Sequence, residues 1–430
     1  MKKIWDGGSL WQVLLMPLAV YAVGMLLLWA VSFIPNSVIL DHALASAYQL
    51  NDEGWPRNFQ EVAGHVEFDR ATTVDSVSVM TAYTLDREHP ENLWLKKVNA
   101  NPNILGWYRR LVDTVEHGET ITVSYSRYCM GFRLPIRLLL VVTAFYGIRF
   151  LAAAAEYMLL ALAMATTGRR GSGWTAAALA ASLGLIEPWA IIGSMGYSTC
   201  IILLLLLLIW LNCAKLELSD GRTFRLFCLF GALTQFFDFY TFPLLVFSLP
   251  LLALIQRYRG RHVLKHAARL SAGWLVSWVV TWLINMAAVS LFTEDRGIRD
   301  ALTSAAYRLG VSGYRDTATS YSVAEAFRSV WAYLRLPSAG VLIPVLLALL
   351  AGLYLYARLR WGRNGKLAAY LAVGSLGPVW IAVTAQPVII HTSMQYRSLC
   401  TLFFALMLYT LEALGILNGK SRLAGWFWKE

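Results

Sequence analysis

The run CIILLLLLLIWL, residues 200–211, carries no charged side chain and is flanked on both sides by polar turns. It is longer than the strands of a soluble core, and comparable apolar runs recur along the chain. Hydrophobic residues make up 57% of the sequence and charged residues only 15%, whereas a soluble domain carries about 25% charge. These features predict an all-α polytopic membrane protein.

The apolar runs predict about ten transmembrane helices, because a helix needs about 20 apolar residues to cross the hydrocarbon core. The expected spans are 11–34, 148–167, 174–192, 198–214, 224–239, 241–256, 268–292, 338–357, 367–385 and 397–417. The first is expected to stay in the mature protein, since its apolar stretch exceeds a signal-peptide core.

Lys and Arg are concentrated in alternate short connections, including Arg169–Arg170, Arg257–Arg261 and Arg358–Arg363. The opposite short loops, near 193–197, 240 and 386–396, contain none. The positive-inside rule therefore predicts that both termini are cytoplasmic, in a plasma (inner) membrane. The same rule accounts for the net charge of +11, so the basic excess does not indicate nucleic-acid binding.

Two long segments are then extracytoplasmic. The first contains RLPIRLLLVVTAFYGIRF (133–150), with Arg137 and Arg149 near its two ends, and the second contains SVAEAFRSVWAYLRL (322–336). Both patterns predict helices that lie in the membrane interface. The chain thus divides into 1–34 with the first span, 35–147 outside, 148–292 with spans two to seven, 293–337 outside, and 338–430 with the last three spans and the C-terminus.

The five cysteines show no C-x-x-C spacing, and most fall in or beside apolar segments. A disulfide framework or a zinc site is therefore not expected, and no metal or cofactor is predicted.

Three predicted spans rise from the cytoplasm and break at a proline near the outer leaflet. The residues just before these breaks are Glu187, Asp238 and Gln386. Broken backbone at membrane depth is tolerated where it is buried in protein or lines a wet cavity. The pattern therefore predicts one cavity open to the outer surface, in which Asp238 orients a cavity residue or a substrate hydroxyl. The alternatives are a solvated cap for Asp238 and an interior hydrogen-bonding role for Glu187.

The third break continues as IIHTSMQYRSL, which contains His391 and Arg397. Alone, His391 reads as an interfacial histidine and Arg397 as an arginine that reaches toward lipid headgroups. Together they indicate an anion site, because the guanidinium fork matches phosphate and the imidazole adds a donor.

Asp41 and Asp75 stand out among the carboxylates of the first outer segment. Asp41, next to His42, lies near the start of an expected helix, where capping is the alternative role. Asp75 lies in a run of small and β-branched residues, ATTVDSVSVMTAY. SYSRYCMGFRLP (124–135) places Arg127, Tyr128 and Arg133 at the membrane surface, typical of an aromatic belt.

This layout resembles the GT-C superfamily of integral membrane glycosyltransferases, which use polyprenyl-phosphate-linked sugars. The resemblance covers most of the chain and is mainly architectural: a large first outer loop with interfacial helices, short broken spans and a late basic outer loop. The segments YSRYCMGFRLPIRLLL, TQFFDFYTFPL and IIHTSMQYRSL also look like those of a poorly characterised group of large bacterial membrane proteins.

The resemblance implies sugar transfer from a polyprenyl-phosphate donor to a glycan, lipid or protein acceptor on the extracytoplasmic side. It implies Asp41 or Asp75 as general base on the acceptor hydroxyl, and Arg397 with His391 as the clamp on the lipid phosphate. The chain departs from the superfamily in one respect: the acidic pair that often follows the first span is absent, since Asp41 precedes His42.

Two other functions fit the pattern. Spans broken at proline beside a cavity also occur in transporters, so a flippase for a lipid-linked or anionic substrate is one alternative. A non-catalytic envelope assembly protein, binding through its first outer segment, is the other.

Overall fold

A computed structural model describes most of the chain. The described residues are 9–53, 72–95, 98–104, 106–118, 121–184, 192–238, 241–293, 297–308, 322–334, 347–352, 354–355, 365–385 and 395–417.

The described residues form helices, with one two-stranded ladder. The helices are α1 (Ser9–Val31), α2 (Asn36–Glu53), α3 (Thr72–Tyr83), α4 (Trp107–His117), α5 (Arg133–Leu139), α6 (Phe145–Arg170), α7 (Gly173–Gly184), α8 (Met195–Cys213), α9 (Gly221–Phe237), α10 (Leu244–Arg257), α11 (Val263–Phe292), α12 (Gly297–Arg308), α13 (Val323–Leu334), α14 (Gly365–Gly374), α15 (Leu376–Val383) and α16 (Cys400–Ala413). Short 3-10 helices cover Pro90–Trp94 and Tyr396–Leu399. Strands β1 (Val98–Asn99) and β2 (Thr122–Val123) pair antiparallel.

Within the described part of the chain, five helical segments are long and apolar enough to cross a membrane: Val13–Val31, Phe145–Arg170, Met195–Cys213, Val263–Phe292 and Gly365–Val383. These five segments confirm the prediction of a helical membrane protein. The expected span 338–357 lies largely outside the described residues.

The leucine-rich run identified first in the sequence forms α8, which lies in the middle of the helix bundle. Most of its side chains, including Leu204, Leu207 and Leu211, are buried, whereas Leu206 and Trp210 on one face are exposed. A helix that is apolar all round is stable only where apolar groups surround it. By contrast α1 exposes Leu15, Leu26 and further large apolar side chains, as expected of a helix that faces lipid.

The described residues between 36 and 139, here called the loop domain, pack against one end of the bundle, here called the domain end. The Gly131 N–H donates to the Phe236 carbonyl at 2.8 Å. The Asn285 amide of α11 donates to the Ser126 carbonyl at 2.9 Å. These bonds join the loop domain to the ends of α9 and α11, so the domain and the bundle form one packed unit.

The opposite end of the bundle, here called the basic end, has ion pairs and charge-assisted hydrogen bonds between helix termini. They are Arg170–Glu217 at 3.1 Å, Arg257–Asn212 at 2.6 Å and Lys366–Glu412 at 3.2 Å.

The stretch 133–150 differs from its predicted form. It folds as α5 and the start of α6, which begins only at Phe145. Arg133 and Arg137 are fully buried, so the Arg133 side chain is enclosed by protein. Arg133 donates to four backbone carbonyls between 2.8 and 3.2 Å, among them those of Asn92 and Leu93.

Arg137 joins three elements of the chain. It donates to the Val31 carbonyl at the end of α1, to the Ile34 carbonyl that follows, to the Asn36 side chain of α2, and to the Ala82 and Tyr83 carbonyls of α3. Burial lowers the pKa of Arg137 to about 10. Five acceptors compensate the buried charge, as buried ions require.

The amphipathic stretch 322–336 forms α13 where the structure describes it. Val323 and Phe327 are exposed, while Ala326 and Val330 of the predicted apolar face are buried in a cluster with Phe403 of α16. Part of this face is therefore covered by the protein.

Candidate functional site

Asp75 lies in the first turn of α3 and is almost completely buried. Its Oδ2 atom accepts from Arg149 Nε at 3.1 Å and from Arg149 Nη2 at 2.7 Å. Its Oδ1 atom accepts from the Ser194 hydroxyl at 2.8 Å. The loop domain thus reaches α6 and the start of α8 through one carboxylate.

Arg149 binds a second carboxylate, that of Glu53 at the end of α2. Its Nη1 atom lies 2.6 Å from Glu53 Oε1 and 2.7 Å from Oε2. The side chain of Glu53 is 17% exposed, whereas that of Asp75 is 1% exposed. Burial raises the pKa of Asp75, and the positive charge of Arg149 opposes that shift.

Asp238 is the residue at which α9 ends, in agreement with the predicted helix end before Pro243. It is buried, with 1% exposure. The Thr241 hydroxyl donates to Asp238 Oδ1 at 2.8 Å and also lies 3.6 Å from Cys200 Sγ. Asp238 is therefore connected to α8 through Thr241.

Arg397 lies in the 3-10 helix that precedes α16 and is fully buried. Its guanidinium carbon lies 4.9 Å from the ring centroid of Tyr396 and 5.9 Å from that of Tyr197. The ring of Tyr197 stacks on Phe242 at 5.9 Å. Arg397 thus also meets the first turns of α8, with aromatic faces that favour a cation.

The start of α8 is the common partner of these groups. Ser194 contacts Asp75, Tyr197 contacts Arg397, and Cys200 lies beside Thr241 and Asp238. Residues three or four apart share a helix face, so Tyr197 and Cys200 face one side together. Asp75, Asp238 and Arg397 come from distant parts of the chain, and the fold gathers them at one end of one helix.

Glu156 is a fourth buried polar residue at this place, with 1% exposure on the apolar helix α6. Its Oε1 atom accepts from the Gly193 N–H at 3.2 Å and from the Ser198 hydroxyl. Its Oε2 atom is buried and has no hydrogen-bond partner among the described residues. A carboxylate inside a membrane helix costs about 3 kcal/mol, so its presence indicates a specific role.

Asp41 lies in the second turn of α2 and is exposed. The described contacts connect it to none of Asp75, Asp238 and Arg397. Three other predicted site residues, Glu187, Gln386 and His391, lie outside the described residues.

Sequence reasoning missed Glu156 and the partners that α8 supplies. Glu156 had a usable signal, because it is the one acid in the otherwise apolar stretch LAAAAEYMLLALAM. Ser194, Tyr197 and Ser198 had none, since hydroxyl groups are common near helix starts. Among the described residues, no group of three His, Cys, Asp or Glu side chains has the arrangement of a metal site.

Comparisons of the chain with protein-family models, with curated proteins and with solved structures found no match.

Proposed function

We propose that the protein is an integral membrane glycosyltransferase that moves a sugar from a polyprenyl-phosphate donor to a glycan, lipid or protein acceptor. One observation carries the proposal: Asp75, Asp238 and Arg397, selected from sequence, are all buried around the start of α8. A phosphate-matched cation near candidate carboxylates is the set of groups that such a transfer needs.

In the proposed topology the chain crosses the plasma membrane ten times and both termini are cytoplasmic. The domain end is then extracytoplasmic. The pairs at the basic end support this alternation, because each joins connections that the proposal places in the cytoplasm. Arg170–Glu217 is one such pair, and Arg257–Asn212 is another.

In the proposed mechanism Arg397, with His391, binds the phosphate of the lipid donor. The guanidinium offers a planar pair of donors to phosphate oxygens. The aromatic rings of Tyr197 and Tyr396 hold this cation in an environment that excludes water. Charges in such an environment interact more strongly than in water, so the developing charge of the leaving phosphate is stabilised.

Asp75 is the general base of the proposal, and Asp41 is the alternative base. A carboxyl whose pKa is raised by burial is a stronger base near neutral pH than an ordinary aspartate. Asp75 Oδ1 can accept a second hydrogen bond from the acceptor hydroxyl beside that from Ser194, because a carboxylate oxygen has two lone pairs. Arg149 stabilises the carboxylate before it takes the proton.

The remaining predicted residues bind the acceptor in this proposal. Asp238 is placed to orient a hydroxyl or a cavity side chain, and Glu187 and Gln386 are assigned the same kind of contact. Asp238→Asn should therefore weaken acceptor binding more than it changes the maximal rate.

The test uses the full chain in lipid nanodiscs, with a panel of radiolabelled polyprenyl-phosphate hexoses as donors. Arg397→Ala should lose both transfer and the co-purified lipid phosphate seen by native mass spectrometry. Asp75→Asn should lose transfer and keep donor binding, whereas Asp41→Asn should do so only if Asp41 is the base. Arg328→Ala, at an exposed position of α13, is the matched control for loss of one arginine.

Normal turnover in Arg397→Ala would remove the clamp from the mechanism. Donor binding without transfer by the wild-type protein would contradict the enzyme and favour a flippase or an assembly protein. Movement of the lipid donor between leaflets of a proteoliposome would then separate those two.

A further inference from the structure

Two polar residues of α6 meet the chain just before and within the start of α8. Arg149 and Glu156 are seven residues apart, which puts them on the same face of α6. Arg149 holds Asp75, to which Ser194 donates. Two turns further along α6, Glu156 accepts from Gly193 and Ser198. Gly193 and Ser198 thus flank the first turn of α8, and Ser194 lies between them in the chain.

Gly193 explains how close this approach is. Its φ of +80° belongs to the left-handed region that glycine adopts without strain. A Cβ atom at this position would lie 2.8 Å from the Arg149 carbonyl oxygen. The chain therefore passes directly against the backbone of α6, and its N–H group points to Glu156 at 3.2 Å.

We propose that Glu156 is a positioning residue of the transfer site, which fixes the start of α8 so that Ser194 meets Asp75 and Tyr197 meets Arg397. This inference rests on the proposed function. Glu156 touches neither Asp75 nor Arg397 among the described contacts. It acts through the backbone at Gly193 and the hydroxyl of Ser198, which precede and follow the two site contacts on α8.

The chemistry of the contact predicts how substitutions differ. Glu156→Gln keeps a carbonyl oxygen that accepts from both Gly193 and Ser198. Glu156→Ala removes the acceptor for both donors. Ser198→Ala removes only one of the two donors and leaves Glu156 in place. Glu156→Ala should therefore disturb the start of α8 most, Ser198→Ala less, and Glu156→Gln least.

The first measurement needs no enzyme activity. Hydrogen–deuterium exchange of the full chain in nanodiscs, read from a peptide spanning residues 192–200, should be at least about tenfold faster in Glu156→Ala, because loss of even one hydrogen bond gives a change of that order. Glu156→Gln should exchange like the wild type. Ser182→Ala is the matched control, because the hydroxyl of this buried serine donates to the Ala178 carbonyl of its own helix α7 and to Met407 Sδ of α16, and not to α8. Equal exchange in all variants would overturn the proposal.

The second measurement separates positioning from general stability. Glu156→Ala should lower kcat of transfer about tenfold with little change in KM for the lipid donor, and Glu156→Gln should restore kcat. Loss of kcat in Glu156→Gln equal to that in Glu156→Ala would overturn a positioning role. Absence of transfer by the wild type would overturn the proposed function instead, and the exchange result would then support or overturn the Glu156 contact alone.

Discussion

The ring of Phe236, the last residue but one of α9, lies directly against the backbone of Gly24 in α1. A methyl group at Gly24 would overlap the ring of Phe236. The same ring lies against Gly131 of the loop domain, where a Cβ atom would be 2.5 Å from it. One side chain thus fills the space between α1, α9 and the loop domain, next to Asp238.

Gly24→Ala should destabilise the protein by about 1–3 kcal/mol, because an added methyl group overpacks a filled core. In a helix without this contact the same change is favourable, since alanine has the higher helix propensity. The midpoint of thermal unfolding in detergent measures the effect. Gly184→Ala, where nothing lies within 4 Å of the new Cβ, is the matched control. The double variant Gly24→Ala/Phe236→Leu should recover part of the loss, and no recovery would contradict the overlap.

Arg149→Met should destabilise the protein more than Asp75→Asn. Removing the arginine leaves Asp75 buried without its cation, at a cost of about 3–5 kcal/mol. Removing the Asp75 charge leaves Arg149 paired with Glu53, so the cost is about 1–2 kcal/mol. Unfolding monitored in a mild detergent measures both. Arg169→Met, at the exposed far end of α6, is the control. Equal losses from the two substitutions would contradict the shared role of Arg149.

The first turn of α13 should open as the pH falls. The Ser322 N–H donates to Glu325 Oε2 at 2.7 Å, and the Glu325 N–H donates to Ser322 Oγ at 3.2 Å. The backbone hydrogen bond from Ser322 lowers the pKa of Glu325 below its usual range. Its stabilising effect is therefore complete above the ordinary glutamate pKa and is lost as the pH falls through the folded value.

Amide exchange of residues 322–326 across the acid range measures this opening. Glu325→Gln keeps an acceptor without an ionisable group, so its first turn should lose the pH response. An acid response that persists unchanged in Glu325→Gln would assign the opening to another group.

Cys213 offers a test of the proposed topology without engineered cysteines. It is the exposed one of the five cysteines, and the other four are buried. The proposed topology places Cys213 at the cytoplasmic end of α8. A membrane-impermeant maleimide should therefore label the protein in inside-out vesicles and leave it unlabelled in intact cells. Cys213→Ser should abolish labelling in both. Labelling from outside the cell would reverse the proposed orientation.

Sequence reasoning located helices well where a long apolar run determines them, as for α8 and α11. It also located the end of α9 at Asp238, since a proline break follows. It could not predict that Arg133 is buried, because an arginine among apolar residues gives the same sequence pattern at a membrane interface as in a protein core. Only the distant carbonyls that surround Arg133 decide between the two. Glu156 was missed for a similar reason, since its partners Gly193 and Ser198 are about 40 residues away along the chain.

The hydrogen bonds of Arg137 also bear on how the protein is made. The Val31 and Ile34 carbonyls at the end of the first transmembrane helix face a guanidinium that is synthesised more than a hundred residues later. During translation, these carbonyls and those of Ala82 and Tyr83 lack this partner until residue 137 has left the ribosome. Final packing of α1 therefore belongs to a late stage of folding, after the chain has been synthesised as far as α5.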